Sequence, residues 1–237
     1  MLKQDLPGQL WSRFVQASKL SLLLAIGLLL YLPWLSRRYD PNGLTEAWAL
    51  ERGVFFSPHH LIYRSIGGIW HSLLSMLKPL EHSIDALQAL SAFSGAIGLA
   101  ACFWIMQRWG LSSLTSAGLT LALGTSWSYW IFSTDANYII PAHTAAVLFL
   151  LCLDTESLSR KHALIAALMA TLAIALWQAH IFLLFLWLGR WYFHRSISPG
   201  TLCHVREGLL ATLLFTALLY GGAGFWTLRS LHPLEWI

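Results

Sequence analysis

Charged residues are scarce in this chain: 15 Lys and Arg and 11 Asp and Glu in 237 residues. A soluble domain is about 25% charged, against 11% here, which argues against a soluble globular protein. The high charge and low hydrophobicity of a disordered chain are absent too. Cysteine is sparse: Cys102, Cys152 and Cys203 lie far apart, with no pair at zinc or redox spacing, and read as packing residues. The apolar–polar alternation of a transmembrane β-barrel is missing. No small-residue cleavage site follows the first apolar run, Leu20–Leu32; only Pro33-Trp34-Leu35-Ser36-Arg37-Arg38 does. That run therefore reads as an uncleaved membrane helix and not as a secretory signal.

What is abundant is apolar surface. Hydrophobic residues make up 57% of the chain and the mean hydropathy is +0.59. Seven helices of roughly 20 residues would use about 140 residues, so most of the chain has room in a bilayer. There are 13 Trp residues, and Trp favours the membrane–water interface. The expected fold class is all-α: a polytopic helical membrane protein, one membrane domain over residues 1–237 with about seven spans. The net charge of +4 and the pI near 9.1 are assigned to cytoplasmic loops, so no nucleic-acid partner is expected.

Helix 1 is expected over about Leu20 to Leu35. A long polar stretch follows, roughly Ser36 to Ser83, holding Asp40, Glu46, Glu51, Arg52, His59, His60, Arg64, His71, Lys78 and Glu81. Asp40-Pro41 is a good helix start, an Asp cap before a Pro at the first helical position, and Gly53 ends that short helix. A second short helix is expected from about Leu61 to Leu77. Its apolar residues Ile62, Ile66, Ile69, Leu73 and Leu77 share a face, while Arg64, His71, Ser75 and Lys78 share another. This amphipathic period suits a helix lying on the membrane surface. Further helices are expected over about 84–109, 114–132, 138–153 and 205–226. The apolar block Ala163–Phe193 is either one tilted helix or two short helices breaking at Trp177-Gln178-Ala179-His180.

With two helices in that block and the N-terminus in the cytoplasm, Lys3, Arg13, Lys19, Arg108, Arg160, Lys161, Arg190, Arg195 and Arg206 all fall inside. The outside turns near Asp135 and Gln178 carry no Lys or Arg, as the positive-inside rule requires. This topology puts the long loop, Asp135, Gln178 and His180 on the extracytoplasmic side, where residues distant in sequence would share one cavity.

The order of a first span, a long outside loop with an acid just past the membrane, a short helix, an interfacial helix and closely connected short spans resembles the GT-C superfamily of membrane glycosyltransferases. That superfamily includes the protein O-mannosyltransferases, the aminoarabinose transferases and related family-39-like enzymes. The resemblance covers nearly the whole chain as topology. At residue level it rests on Tyr39-Asp40, Leu44-Thr45-Glu46-Ala47, Gly53 and Ser57-Pro58-His59-His60-Leu61. The family often pairs two acids at this place; here Asp40 stands alone and Glu46 follows six residues on. The family's members are also usually longer, so the chain is expected to be a truncated product, half of a split gene, or a minimal module.

The resemblance implies a protein of the bacterial inner (plasma) membrane that moves a sugar from a polyprenyl-phosphate donor to an acceptor on the outer side. It makes Asp40 the candidate base, with Glu46 assisting or helping to hold a divalent ion through oxygen ligands. Arg37, Arg38, His59, His60 and Arg64 become candidates for the phosphate. Asp135, Gln178 and His180 become candidates for the substrate cavity, being polar groups beside apolar spans. Each has a simpler reading: Asp40 and Asp135 as helix caps, the arginines as headgroup anchors, Gln178 and His180 as helix-end residues. His59-His60 lacks a third or fourth ligand in sequence, so no metal centre is assigned. The competing functions are a non-catalytic membrane subunit or fragment, and a small-solute transporter. Against the transporter, the halves share no repeated motif.

Overall fold

The computed structural model describes residues 6–37, 39–154, 158–193 and 199–230. Of the described residues 82% are helical and none is in a strand. The helices are α1 (Leu6–Tyr31), α2 (Pro41–Glu51), α3 (Tyr63–Ser75), α4 (Ser83–Arg108) and α5 (Ser113–Gly124). They continue with α6 (Trp127–Thr134), α7 (Ile139–Leu153), α8 (Arg160–Leu176), α9 (Leu183–Phe193) and α10 (Pro199–Ser230).

Local chemistry sets most boundaries. Asp40 caps α2 by accepting from the Asn42 amide, with Pro41 at the first helical position. Gly53, at φ +76°, turns the chain just beyond the end of α2. Ser112 and Ser159 cap α5 and α8 by accepting from the Thr115 and His162 amides. The apolar block 163–193 does break at Trp177. Residues Gln178–Phe182 form a 3-10 turn between α8 and α9.

The expected helix over 114–132 is divided. Gly124 is followed by Thr125 and Ser126, whose hydroxyls donate to the carbonyls of Leu121 and Leu123. The Tyr31 phenol donates to the Gly124 carbonyl. These bonds satisfy the end of α5, and α6 starts afresh. Instead of seven long spans, two helices among the described residues are by themselves long and apolar enough to cross a membrane: Ser83–Arg108 and Gly200–Thr227. The bent pair α6–α7, angled at 113°, makes up to three if counted as one broken span. Helices α5, α7, α8 and α9 are each shorter than the roughly 20 residues that a crossing needs, and Ser18–Trp34 is one of the shorter apolar stretches.

Helix α4 packs against α1, α2, α3, α5, α6 and α7, and α8 lies between α7 and α10. One core is built from small residues of α8, Ala163, Ala166, Ala167, Ala170 and Ala173, around Phe149 and Trp187. A second holds Ala47, Tyr63, Leu87, Ala136, Ala142 and Leu176. It joins α2 and α3 to the end of the bundle where α4 and α7 begin and α8 finishes. At the opposite end Arg108 donates to the carbonyls of Leu151 and Asp154, and Arg160 lies 3.5 Å from Glu207.

Candidate functional site

The second core carries the polar chemistry. The Ser36 amide donates to the Thr134 carbonyl, and the Gln88 amide group donates to the Ser36 carbonyl. These bonds bring the start of the long loop to the α6–α7 turn. Asp40 then meets that turn directly. Its backbone N–H donates to Asp135 Oδ2 at 3.0 Å, and Asn137 Nδ2 approaches Asp40 Oδ2 at 3.5 Å. The other Asp135 oxygen accepts from the Ala136 amide at 2.7 Å. Asp135 is buried, while Asp40 is half-buried. The Asp135 carboxylate thus holds the backbone of Asp40, nearly a hundred positions away in the chain.

The close approach depends on Gly43. A Cβ there would meet the Ala136 carbonyl oxygen at 2.5 Å, so α2 rests on the turn backbone to backbone.

Glu46 and Arg64 form a two-pronged ion pair. Arg64 Nε donates to Glu46 Oε2 at 2.8 Å and Nη2 to Oε1 at 3.1 Å. Both side chains are about nine-tenths buried, at 11% and 8% exposed. A third guanidinium nitrogen reaches the Phe56 carbonyl at 3.5 Å. Such a pair is geometrically specific, and it occupies both residues. Glu46 clamps α2 to α3, and Arg64 is answered by a carboxylate and a carbonyl before any phosphate arrives.

Next to the pair lies a group of rings. His60 stacks on Tyr138 with centroids 3.3 Å apart, and Tyr63 meets Tyr138 edge-on at 6.1 Å. Tyr138 lies 6.4 Å from Trp177, and His143 stacks on Trp177 at 5.6 Å. His180 meets His143 edge-on at 5.0 Å. Burial pushes the His60 imidazole below its ordinary value, against the opposing pull of Glu46, and its Nδ1 is buried without a hydrogen-bond partner. Burial, with His143 adding to it, lowers His180 to about 4. Burial raises the Tyr138 phenol, and the Glu46 and Asp40 carboxylates push it further. At neutral pH the half-buried His60 and the buried His180 are therefore neutral and Tyr138 keeps its proton.

Of the residues singled out from sequence, Asp40, Glu46, His60, Arg64, Asp135 and His180 come together here. Gln178 is exposed and donates to the Pro58 carbonyl at 2.6 Å, tying the long loop to the α8–α9 turn. It borders a separate cavity of about 180 Å³ with Phe56, Leu61, Tyr220 and Thr227. His59 is exposed, its ring 6.3 Å from that of His60. Arg37 is exposed at the start of the loop, and Arg38 lies outside the described residues. Among the described residues no group of three or more His, Cys, Asp or Glu is placed to hold a metal ion.

Sequence reasoning missed Asn137, Tyr138, Tyr63, His143 and Trp177 as members of this site. The signal available was the run Asp135, Asn137, Tyr138 and His143, which is dense in polar and aromatic groups for a segment opening an apolar helix. No protein-family model, curated protein or solved structure matches the chain.

Proposed function

We propose that this chain is a polytopic membrane protein of the GT-C type that transfers a sugar from a polyprenyl-phosphate donor on the extracytoplasmic side. The observation that carries the reading is the meeting of Asp40 with Asp135 at one end of the bundle. The acid pairing that the family resemblance calls for is absent from the neighbouring sequence; the α6–α7 turn supplies the second acid.

The membrane reading is supported by α10. Its segment Gly200–Thr227 is long and apolar enough to cross a membrane, yet little of it is buried inside the molecule. Apolar surface of that extent needs lipid or a partner to cover it. Ile69 and Leu73 on α3, with Met76 and Leu77 just beyond it, are exposed together, as expected of a helix lying in the interface. In this reading α1, α4, α5–α6, α7, α8, α9 and α10 make the spans, short ones included. The basic end of the bundle with Arg108, Arg160 and Arg190 faces the cytoplasm.

The reaction forms a bond between an acceptor hydroxyl oxygen and the anomeric carbon. The bond from that carbon to the phosphate oxygen breaks, and its electron pair leaves with the lipid phosphate. Asp40, the half-buried carboxylate, takes the hydroxyl proton. Asp135 holds the Asp40 backbone in place through its amide. Among the described residues Arg37 is the exposed cation nearest in sequence to Asp40, and it offsets charge on the leaving phosphate. The pairing of Arg64 with Glu46 removes it from that task.

Asp40→Asn in proteoliposomes is expected to lower transfer about 100-fold or more, with unchanged insertion and yield. Full transfer by that variant would show that Asp40 is only a helix cap. A second reading, a non-catalytic membrane subunit, draws on the same residue: its oxygens already accept from the Asn42 amide and face the Asn137 amide.

A further inference from the structure

A row of rings leads away from the carboxylates. It begins at Tyr138, next in sequence to the Asn137 that faces Asp40, and passes through Trp177 and His143 to His180. The neighbour spacings of 6.4, 5.6 and 5.0 Å are those of rings in direct contact, so the row is continuous. The row comes from separate segments, the α6–α7 turn, α7 and the α8–α9 turn. His143 is exposed, and Tyr138 and Trp177 are half-buried, so ring surface remains open to a ligand.

The chemistry of this row is selective. Nδ1 of His143 lies 2.9 Å from the Ile139 carbonyl, and Nδ1 of His180 lies 3.3 Å from the Trp177 carbonyl. A carbonyl only accepts, so in the neutral ring Nδ1 carries the proton and Nε2 is left as an acceptor. No lysine or arginine belongs to the row, and the nearby Arg64 is bound to Glu46. Asp40 and Asp135 border it with negative charge. An anionic group is therefore disfavoured here. A ligand with an apolar face and a rim of hydroxyl donors fits: flat C–H groups lie on the rings, and hydroxyls donate to Nε2 and to carboxylate oxygens.

We propose that Tyr138, Trp177 and His143 form the seat of the substrate's sugar ring, stacking on its C–H face while His143 Nε2 accepts from a hydroxyl. This rests on the transferase reading, and it separates the two halves of the donor. The sugar lies along the ring row, and the phosphate lies toward Arg37 at the start of the loop.

The test is equilibrium binding to the full chain in nanodiscs, using farnesyl-phosphoryl glucose, mannose, galactose and arabinose against farnesyl phosphate alone. At least one sugar ester is expected to bind about tenfold tighter than farnesyl phosphate. Trp177→Ala and His143→Ala should each lose that margin while binding farnesyl phosphate as before, and Trp177→Phe should keep most of it. His143 is exposed, so its variant remains informative if Trp177→Ala does not fold. The seat is overturned if no ester outbinds farnesyl phosphate, or if the His143 variant and every folded Trp177 variant retain the full margin. A preferred ester that depends on both residues, yet is never transferred by the wild type, upholds the seat and removes the transferase reading instead.

Discussion

The Glu46–Arg64 pair holds two charges away from solvent, and each is tolerable there only because the other is present. Removing one partner leaves an uncompensated buried charge. Glu46→Gln is therefore expected to destabilise the protein by about 3–5 kcal/mol, read as a lower melting temperature in detergent. The double variant Glu46→Leu, Arg64→Met should recover most of that loss; a double variant as unstable as the single one would contradict the pairing. His180 gives a pH dependence. Its value is about 4 when folded and about 6.5 when unfolded. Between these values the unfolded chain binds the extra proton, so stability is lost as pH falls from about 6.5 toward 4. The melting temperature should drop over that window, and His180→Gln should flatten the drop. An unchanged slope in His180→Gln would show that another group titrates.

At the scale of elements, the short helix α2 is placed by Gly43 against Ala136 and by Glu46 against α3. Gly43→Ala forces a methyl onto the Ala136 carbonyl, so α2 must move off the α6–α7 turn. Overpacking of this kind costs about 1–3 kcal/mol, and the shift should also weaken the Asp40–Asp135 contact and lower transfer. A Gly43→Ala protein with wild-type melting and transfer would mean that the contact is not a tight one. The start and stop of α2 were legible in the sequence because caps are local: Asp40-Pro41 opens it and Gly53 follows it. So was the break at Trp177, as one of two readings, since Gln178 and His180 interrupt an apolar block. The division of 114–132 was not legible. It depends partly on the Tyr31 phenol reaching Gly124 across 93 positions. The pairing of Glu46 with Arg64 was hidden likewise, because it joins two helices whose relative placement no spacing rule contains. In that pair both residues clamp α2 to α3.

At the scale of the molecule, the two ends of the bundle differ in chemistry. One gathers Asp40, Glu46, Asp135, His60 and the ring row; the other gathers Arg108, Arg160 and Arg190. Loop charges alone had placed the long loop, the Asp135 turn and the Gln178–His180 turn together. The bonds from Asp40 to Asp135 and from Gln178 to Pro58 join those same segments. That the two ends face opposite sides of a membrane is tested most directly by labelling single cysteines, with Cys102, Cys152 and Cys203 replaced. An impermeant thiol reagent added to intact cells should label Ser57→Cys and spare Arg160→Cys until the membrane is opened. Labelling of Arg160→Cys from outside, with Ser57→Cys reached only after opening, would contradict the proposed topology and with it an extracytoplasmic transferase site.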